Sequence, residues 1–208
     1  ERTSNNPSNK SGKIKLMKLN SSGTELWKIF FESENIFNDG FIDSDSKNDV
    51  YLGITTYSNV EGFKNKIKGG ISLEKYNSMG SKLWKKDLLK SDELSSDIIT
   101  SVKTDKNGAI LLSGYTYKIK DYDFSDNNII AAKFDSDGNQ IWKQEFGSNK
   151  NDVATSITVN NKNSIFLTGH TYGSMENNKQ AVQSDIFLMN LDSNGNKIFS
   201  KQNSSKSR

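Results

Sequence analysis

A short pattern recurs four times along this chain at an almost constant interval. Leu19-Asn20-Ser21-Ser22-Gly23-Thr24-Glu25-Leu26-Trp27 returns as Tyr76-Asn77-Ser78-Met79-Gly80-Ser81-Lys82-Leu83-Trp84, then as Phe134-Asp135-Ser136-Asp137-Gly138-Asn139-Gln140-Ile141-Trp142, and finally as Leu191-Asp192-Ser193-Asn194-Gly195-Asn196-Lys197-Ile198-Phe199. Gly23, Gly80, Gly138 and Gly195 stand 57, 58 and 57 residues apart, and Trp27, Trp84, Trp142 and Phe199 keep the same spacing. A second motif lies between the copies: Val50-Tyr51-Leu52-Gly53-Ile54-Thr55-Thr56-Tyr57 matches Ile110 to Tyr117 and Ile165 to Tyr172, so that Tyr57, Tyr117 and Tyr172 are equivalent. A fixed period of this length means one supersecondary unit repeated, each copy burying its apolar face on its neighbours. The repeats run over about 13–69, 70–127 and 128–184, with a partial fourth over 185–202.

Each repeat reads as four strands. The first is an apolar run such as Ile14 to Leu19, Ile71 to Tyr76, Ile129 to Phe134 or Ile186 to Leu191. A tight turn follows, with Asn or Asp ahead of a glycine suited to the left-handed backbone of a bulged hairpin. The second strand carries the aromatic residue, the third is short and alternating (Ile98 to Val102, Ala154 to Val159), and the fourth ends in the Thr-Tyr pair. Sustained helical spacing of apolar residues is missing, so helices should be scarce, with one helical turn allowed over Glu93 to Ile99. Four strands in about 57 residues are too long a unit for a leucine-rich or helical solenoid and suit a propeller blade. The expected fold is therefore all-β, a β-propeller-like array of four-stranded antiparallel blades, about three and a half repeats in an open or incomplete ring. Trp27, Trp84, Trp142 and Phe199 should be wedged between neighbouring sheets as structural residues rather than ligand platforms. Three full repeats and a half make fourteen strands, two short of four blades, which leaves an edge or apolar face uncovered and predicts self-association.

Composition narrows the chemistry. The 208 residues are 33% hydrophobic, 25% charged and 10% aromatic, too aromatic for a disordered polar chain. No window approaches the ~20 apolar residues of a membrane helix. Twenty-eight basic and 25 acidic residues leave a net charge of +3, too weak and too mixed to point to nucleic acid. Cysteine is absent and His170 is the only histidine, which removes disulfides, thiol chemistry and Cys/His metal sites. His170 aligns with Tyr115 and Thr55, and no Gly-x-Ser-x-Gly elbow surrounds a serine, so Ser/His/Asp catalysis is not expected.

Carboxylate clusters read as turns. Asp43, Asp45 and Asp49 alternate like a calcium loop, but Ser46-Lys47 replaces the mid-loop glycine and no closing Glu follows. Asp121, Asp123 and Asp126, and Asp135 with Asp137, likewise read as loop and turn formers. Lys18, Lys75 and Lys133 recur at the end of strand one, where the fourth copy has Asn190, and suit a solvent-facing or turn-bracing role. No catalytic residue, cofactor or metal is assigned.

Recognition is placed elsewhere. The links Ser58 to Gly69, Lys118 to Asn127 and Gly173 to Ser184 vary in length and charge while the strands keep phase. Repeat geometry clusters them on one face, where a protein or glycan partner would bind. The polar lead-in over 1–12 and the tail over 203–208 read as unstructured. A chain starting at Glu1 reads as processed or trimmed, and its polar lead-in fits a tether below a lipid anchor.

These residues resemble the bacterial seven-bladed β-propeller repeat (SBBP) family, whose repeats run Asp-aromatic-apolar-Lys-Leu-Asp-x-x-Gly-Asn-x-x-Trp and close on apolar-Gly-Tyr-Thr. Ala132 to Trp142 carries the likeness best; Asp185-Ile186-Phe187-Leu188 matches the opening, and Gly114-Tyr115-Thr116 and Gly169-His170-Thr171 match the close. The likeness covers about residues 13 to 202. The first repeat departs: Ile54 replaces the closing glycine, and Lys13 stands where the last repeat has Asp185. Quinoprotein and outer-membrane-assembly propellers share the Gly-to-Trp part but have shorter repeats. The resemblance implies export to a bacterial envelope or surface, often as a lipoprotein, with no established catalytic residues. Two rivals follow: a structural spacer within a larger surface protein, and a propeller-type carbohydrate-active enzyme.

Overall fold

The computed structural model describes residues 12–33, 36–59, 67–90, 95–118, 127–175 and 184–203. They form fourteen strands and no helix: β1 (Gly12–Leu19), β2 (Glu25–Ser33), β3 (Ile36–Ser44), β4 (Val50–Asn59), β5 (Ile67–Tyr76), β6 (Lys82–Lys90), β7 (Ser95–Thr104), β8 (Ile110–Lys118), β9 (Asn127–Phe134), β10 (Gln140–Phe146), β11 (Asp152–Val159), β12 (Ile165–Thr171), β13 (Asp185–Leu191) and β14 (Lys197–Asn203). The allowance for a helical turn over Glu93 to Ile99 is corrected: Ser95 onward is β7, paired with β8 from Ser95↔Lys118. Its apolar residues match a helix only by accident, because Ile99 and Val102 belong to a core shared with other strands.

Pairing is antiparallel throughout, in four sheets: β1-β2, β3-β4-β5-β6, β7-β8-β9-β10 and β11-β12-β13-β14. The sheets are phased half a repeat away from the sequence motif. Strands three and four of one repeat pair with strands one and two of the next, so β13–β14 complete a four-stranded sheet. The two-stranded piece is β1–β2, at the other end. The sequence period fixes the length of the unit but not which of its links closes a sheet.

Because every strand reverses, all seven tight turns fall on one edge of the sheets and all links on the other. The turns share one construction. An Asn or Asp side chain (Asn20, Asp45, Asn77, Asp105, Asp135, Asn160, Asp192) accepts the backbone N–H groups two and four residues on. The residue three after it takes positive φ, from 61° to 85°: Gly23, Asn48, Gly80, Gly108, Gly138, Asn163 and Gly195. Glycine or asparagine takes that conformation at least cost, which is why only they occupy it.

Three cores lie between successive sheets. Leu16 and Ile14 of β1 meet Leu52 and Ile54. Tyr51, Ile71 and Leu73 meet Ile99, Val102 and Leu112. Leu111, Ile129 and Ala131 meet Ala154, Leu167, Phe187 and Met189. The leading strand of each sheet lies over the one before: β7 packs on β3, β4 and β5, and β11 on β7, β8 and β9.

Two glycines bring paired backbones unusually close. A Cβ at Gly114 would stand 1.8 Å from the Ile98 carbonyl oxygen, and one at Gly169 would stand 1.9 Å from that of Val153. Each sits beside a register shift in the partner strand, at Ile99/Ser101 and Ala154/Ser156. The first repeat has Ile54 there, and the small residue has moved across the ladder: Ile54 pairs with Gly40, where the other sheets pair glycine with Ile99 and Ala154. Gly114→Ala is therefore expected to cost about 3 kcal/mol by urea unfolding, because a backbone carbonyl cannot step aside. Gly40→Ala, whose new atom would meet Leu52 at an ordinary 3.5 Å, should cost under ~1 kcal/mol.

Candidate functional site

The recurrent aromatics join one sheet to the next. The Trp27 indole lies over Gly80, where a Cβ would come within 2.8 Å of the ring, and its Nε1–H donates to the Ser78 carbonyl at 3.1 Å. Trp84 covers Gly138 and donates to Ser136 at 3.2 Å, and Trp142 covers Gly195 and donates to Ser193 at 3.1 Å. Each indole thus caps the turn of the following repeat. Gly23, in the first turn, has nothing within 4 Å of its missing Cβ. The expectation that Phe199 is wedged between sheets is corrected: it is 38% exposed, and among the described residues no sheet lies beyond β11–β14 to offer it a turn. Tyr57 and Tyr117 lie in β4 and β8 with their side chains outside the described residues. Tyr172 is exposed just past β12, its ring edge-on to His170 at 6.0 Å.

The carboxylates singled out in the sequence serve the turns. Asp43 accepts from the Thr104 N–H and hydroxyl and pairs with Lys103. Asp45 builds its own turn, and Asp49 pairs with Lys75 at 3.2 Å. Lys133 pairs in the same way with Asp105, so Lys75 and Lys133 brace the β3–β4 and β7–β8 turns; Lys18 donates to the Ser78 carbonyl. The Asn139 side chain and N–H hold the Asp135 carboxyl below its ordinary value, and Asn196 does the same for Asp192. Burial pushes the Tyr76 phenol far above its ordinary range, and a hydrogen bond to buried Glu74 pushes it further. Burial opposes the Lys75 ammonium, but Tyr51 and Asp49 outweigh it and raise its pKa. Asp121, Asp123 and Asp126 lie outside the described residues, as do most of the three variable links.

Sequence reasoning missed a polar layer on the link edge. In the last sheet Asp152 of β11 pairs with Thr171 of β12, which pairs with Asp185 of β13. All three are buried, at 0%, 0% and 3% exposure, at the end of the core row that holds Ala154, Leu167 and Phe187. In the preceding sheet the same register gives Asp97, Thr116 and Asn128. The signal was present: the threonine of each closing motif opposes an aspartate that opens strand three in two of three repeats. These carboxylates differ in what meets them. Lys143 bonds Asp97 at 2.8 Å, and Gln202 bonds Asp185 at 2.8 Å. Among the described residues, Asp152 receives the Ser148 N–H and hydroxyl, both on one oxygen.

Also missed was a recurring exposed aliphatic just before each aromatic: Leu26, Leu83, Ile141 and Ile198, each more than half exposed. In each hairpin it falls beside the register shift near the turn, where the extra residue of the bulge is turned outward.

No protein-family model matches the chain, and no curated protein is significantly similar to it. Among the described residues, no group of three or more His, Cys, Asp and Glu side chains is arranged to hold a metal ion, and no helix is long and apolar enough to cross a membrane.

Trp84→Phe keeps most of the ring over Gly138 but loses the bond to Ser136, an expected cost of about 1 kcal/mol. Trp84→Ala should cost ~3–5 kcal/mol. Urea unfolding followed by tryptophan fluorescence measures both, and equal costs would show that the ring does not hold the two sheets together.

Proposed function

We propose that this chain is a non-enzymatic, propeller-type repeat module of the SBBP kind, exported to a bacterial envelope or surface, and that it binds a protein or glycan partner through its link edge. The observation that carries this reading is the inequality of the two edges. One edge is standardised: seven turns of one design, their Asp and Asn side chains consumed by backbone N–H groups. The other carries links that differ from repeat to repeat, together with Tyr172 and the buried polar layer. A scaffold that spends its repetition on one rim and its variation on the other is arranged for recognition at the variable rim. The 57-residue period, the four-stranded sheets and the indole caps support a radial, blade-like stacking in which those links converge. A carbohydrate-active enzyme is less well supported, because Asp45, Asp135 and Asp192 are held by turn N–H groups and Asp43, Asp49, Asp97 and Asp105 are paired with lysines. The experiment is a glycan-array and surface-capture screen with the chain and with a variant whose three links are short Gly/Ser turns. Binding lost in the folded variant supports the reading; binding kept, or turnover of a bound glycan, overturns it.

A second reading, a segment within a longer stack, is favoured by one face. Ile71 and Leu73 are 2% and 0% exposed, and Ile129 and Ala131 are both fully buried. Their counterparts Ile186 and Leu188 are 68% and 44% exposed. A face built to be covered should find a cover, so the chain as given is expected to self-associate in sedimentation velocity. Ile186→Lys with Leu188→Lys should shift it to monomer. A strictly monomeric, cooperatively folded parent would refute this.

A further inference from the structure

We propose that the open edge of β1, together with the β3 face that carries Ile42, is a docking site for a β-strand of another polypeptide, added antiparallel to β1. Among the described residues β1 is paired on one edge alone, with β2, whereas its counterparts β5, β9 and β13 are paired on both. A row of unpaired backbone N–H and C=O groups is a template for strand addition.

The face beside that edge is uncovered at the same place. Ile42 pairs with Leu52 as Val102 pairs with Leu112 and Ile157 with Leu167, so the three are equivalent. Val102 and Ile157 are 4% and 1% exposed, but Ile42 is 57% exposed. The next seam shows what covers such a residue. β4 runs beneath β7, where a Cβ at Gly53 would come within 2.8 Å of Val102 and 2.7 Å of Ile99. β4 is also the strand that pairs with β5. A strand paired with β1 as β4 is with β5 therefore passes beneath Ile42 as β4 passes beneath Val102. One segment satisfies both the edge and the face.

The same register states the partner's chemistry. Leu16, Leu73 and Ala131 are equivalent by the repeat. β4 sets Gly53 opposite Leu73, and β8 sets Ser113 opposite Ala131. Two residues before each stands a large side chain, Tyr51 or Leu111, fully buried on the same face. The partner is thus an extended segment with a large apolar residue and, two positions on, a small residue opposite Leu16. A second folded copy does not offer such a strand, since β4, β8 and β12 are each paired on both edges. This inference rests neither on the binding proposed for the link edge nor on self-association through Ile186 and Leu188.

The probe is a fluorescent, lysine-flanked peptide of the β8 sequence, Ile110–Lys118. It is titrated with the full chain by polarisation, and amide hydrogen exchange locates the contact. Saturable binding with added protection in β1 is the expected result. Ile42→Asp, at an exposed position, should weaken binding by about tenfold or more, because its carboxylate would be buried beneath the added strand. Ile186→Lys with Leu188→Lys, on the far face, should leave binding unchanged. Two backbone N-methylated peptides, each blocked along one edge, separate strand addition from apolar adhesion: one should bind as the parent peptide does and the other should not bind. No binding, protection outside β1, an equal loss in the far-face variant, or equal behaviour of the two N-methylated peptides overturns the proposal. So does self-association of the parent that disappears in Ile42→Asp, because another copy then occupies the site.

Discussion

The interaction on which the rest depends is the indole laid over the next repeat's turn glycine. It fixes two things at once. The ring face needs a residue without a side chain, and the turn needs a left-handed backbone, so one glycine serves both demands. The indole N–H then bonds a carbonyl two residues before that glycine, which ties the rotation of the tryptophan to the path of the turn. Burial of the flat ring supplies most of the attraction and the hydrogen bond supplies the register. Between the caps, β-branched and leucine side chains fill the seams, and the sheets stack without any helix among the described residues.

Much of this was legible in the sequence because turn chemistry is local. An Asn or Asp followed three residues later by Gly, and four after that by Trp, announces a hairpin and its cap wherever it occurs. The fourteen strands could be counted in advance for the same reason. The pairing phase could not, since the links after strand two and strand four are both polar and both connect antiparallel strands. Nothing local says which of them stays within a sheet and which crosses between sheets. The first repeat departs from the closing glycine, and the pairing of Ile54 with Gly40 puts the small residue on the opposite strand.

The candidate site was less legible, and for a physical reason. Asp152, Thr171 and Asp185 are brought side by side only by the register of β11, β12 and β13. Isolated Asn and Asp residues at strand ends are common turn formers, so nothing in their spacing marks them. What marks them is their burial after folding. Among the clusters that did stand out by spacing, Asp43, Asp45, Asp49 and Asp135 are employed in holding the opposite edge.

The half-repeat offset between motif and sheet has a mechanical consequence. Every four-stranded sheet is sewn from the tail of one repeat and the head of the next, so covalent linkage and hydrogen bonding overlap like courses of brickwork. To separate one repeat from the next, the β4–β5, β8–β9 or β12–β13 ladder that spans their joint must open. The links that do cross from sheet to sheet, after β2, β6 and β10, fall in mid-repeat, where the indole caps and the seam cores hold the neighbours together.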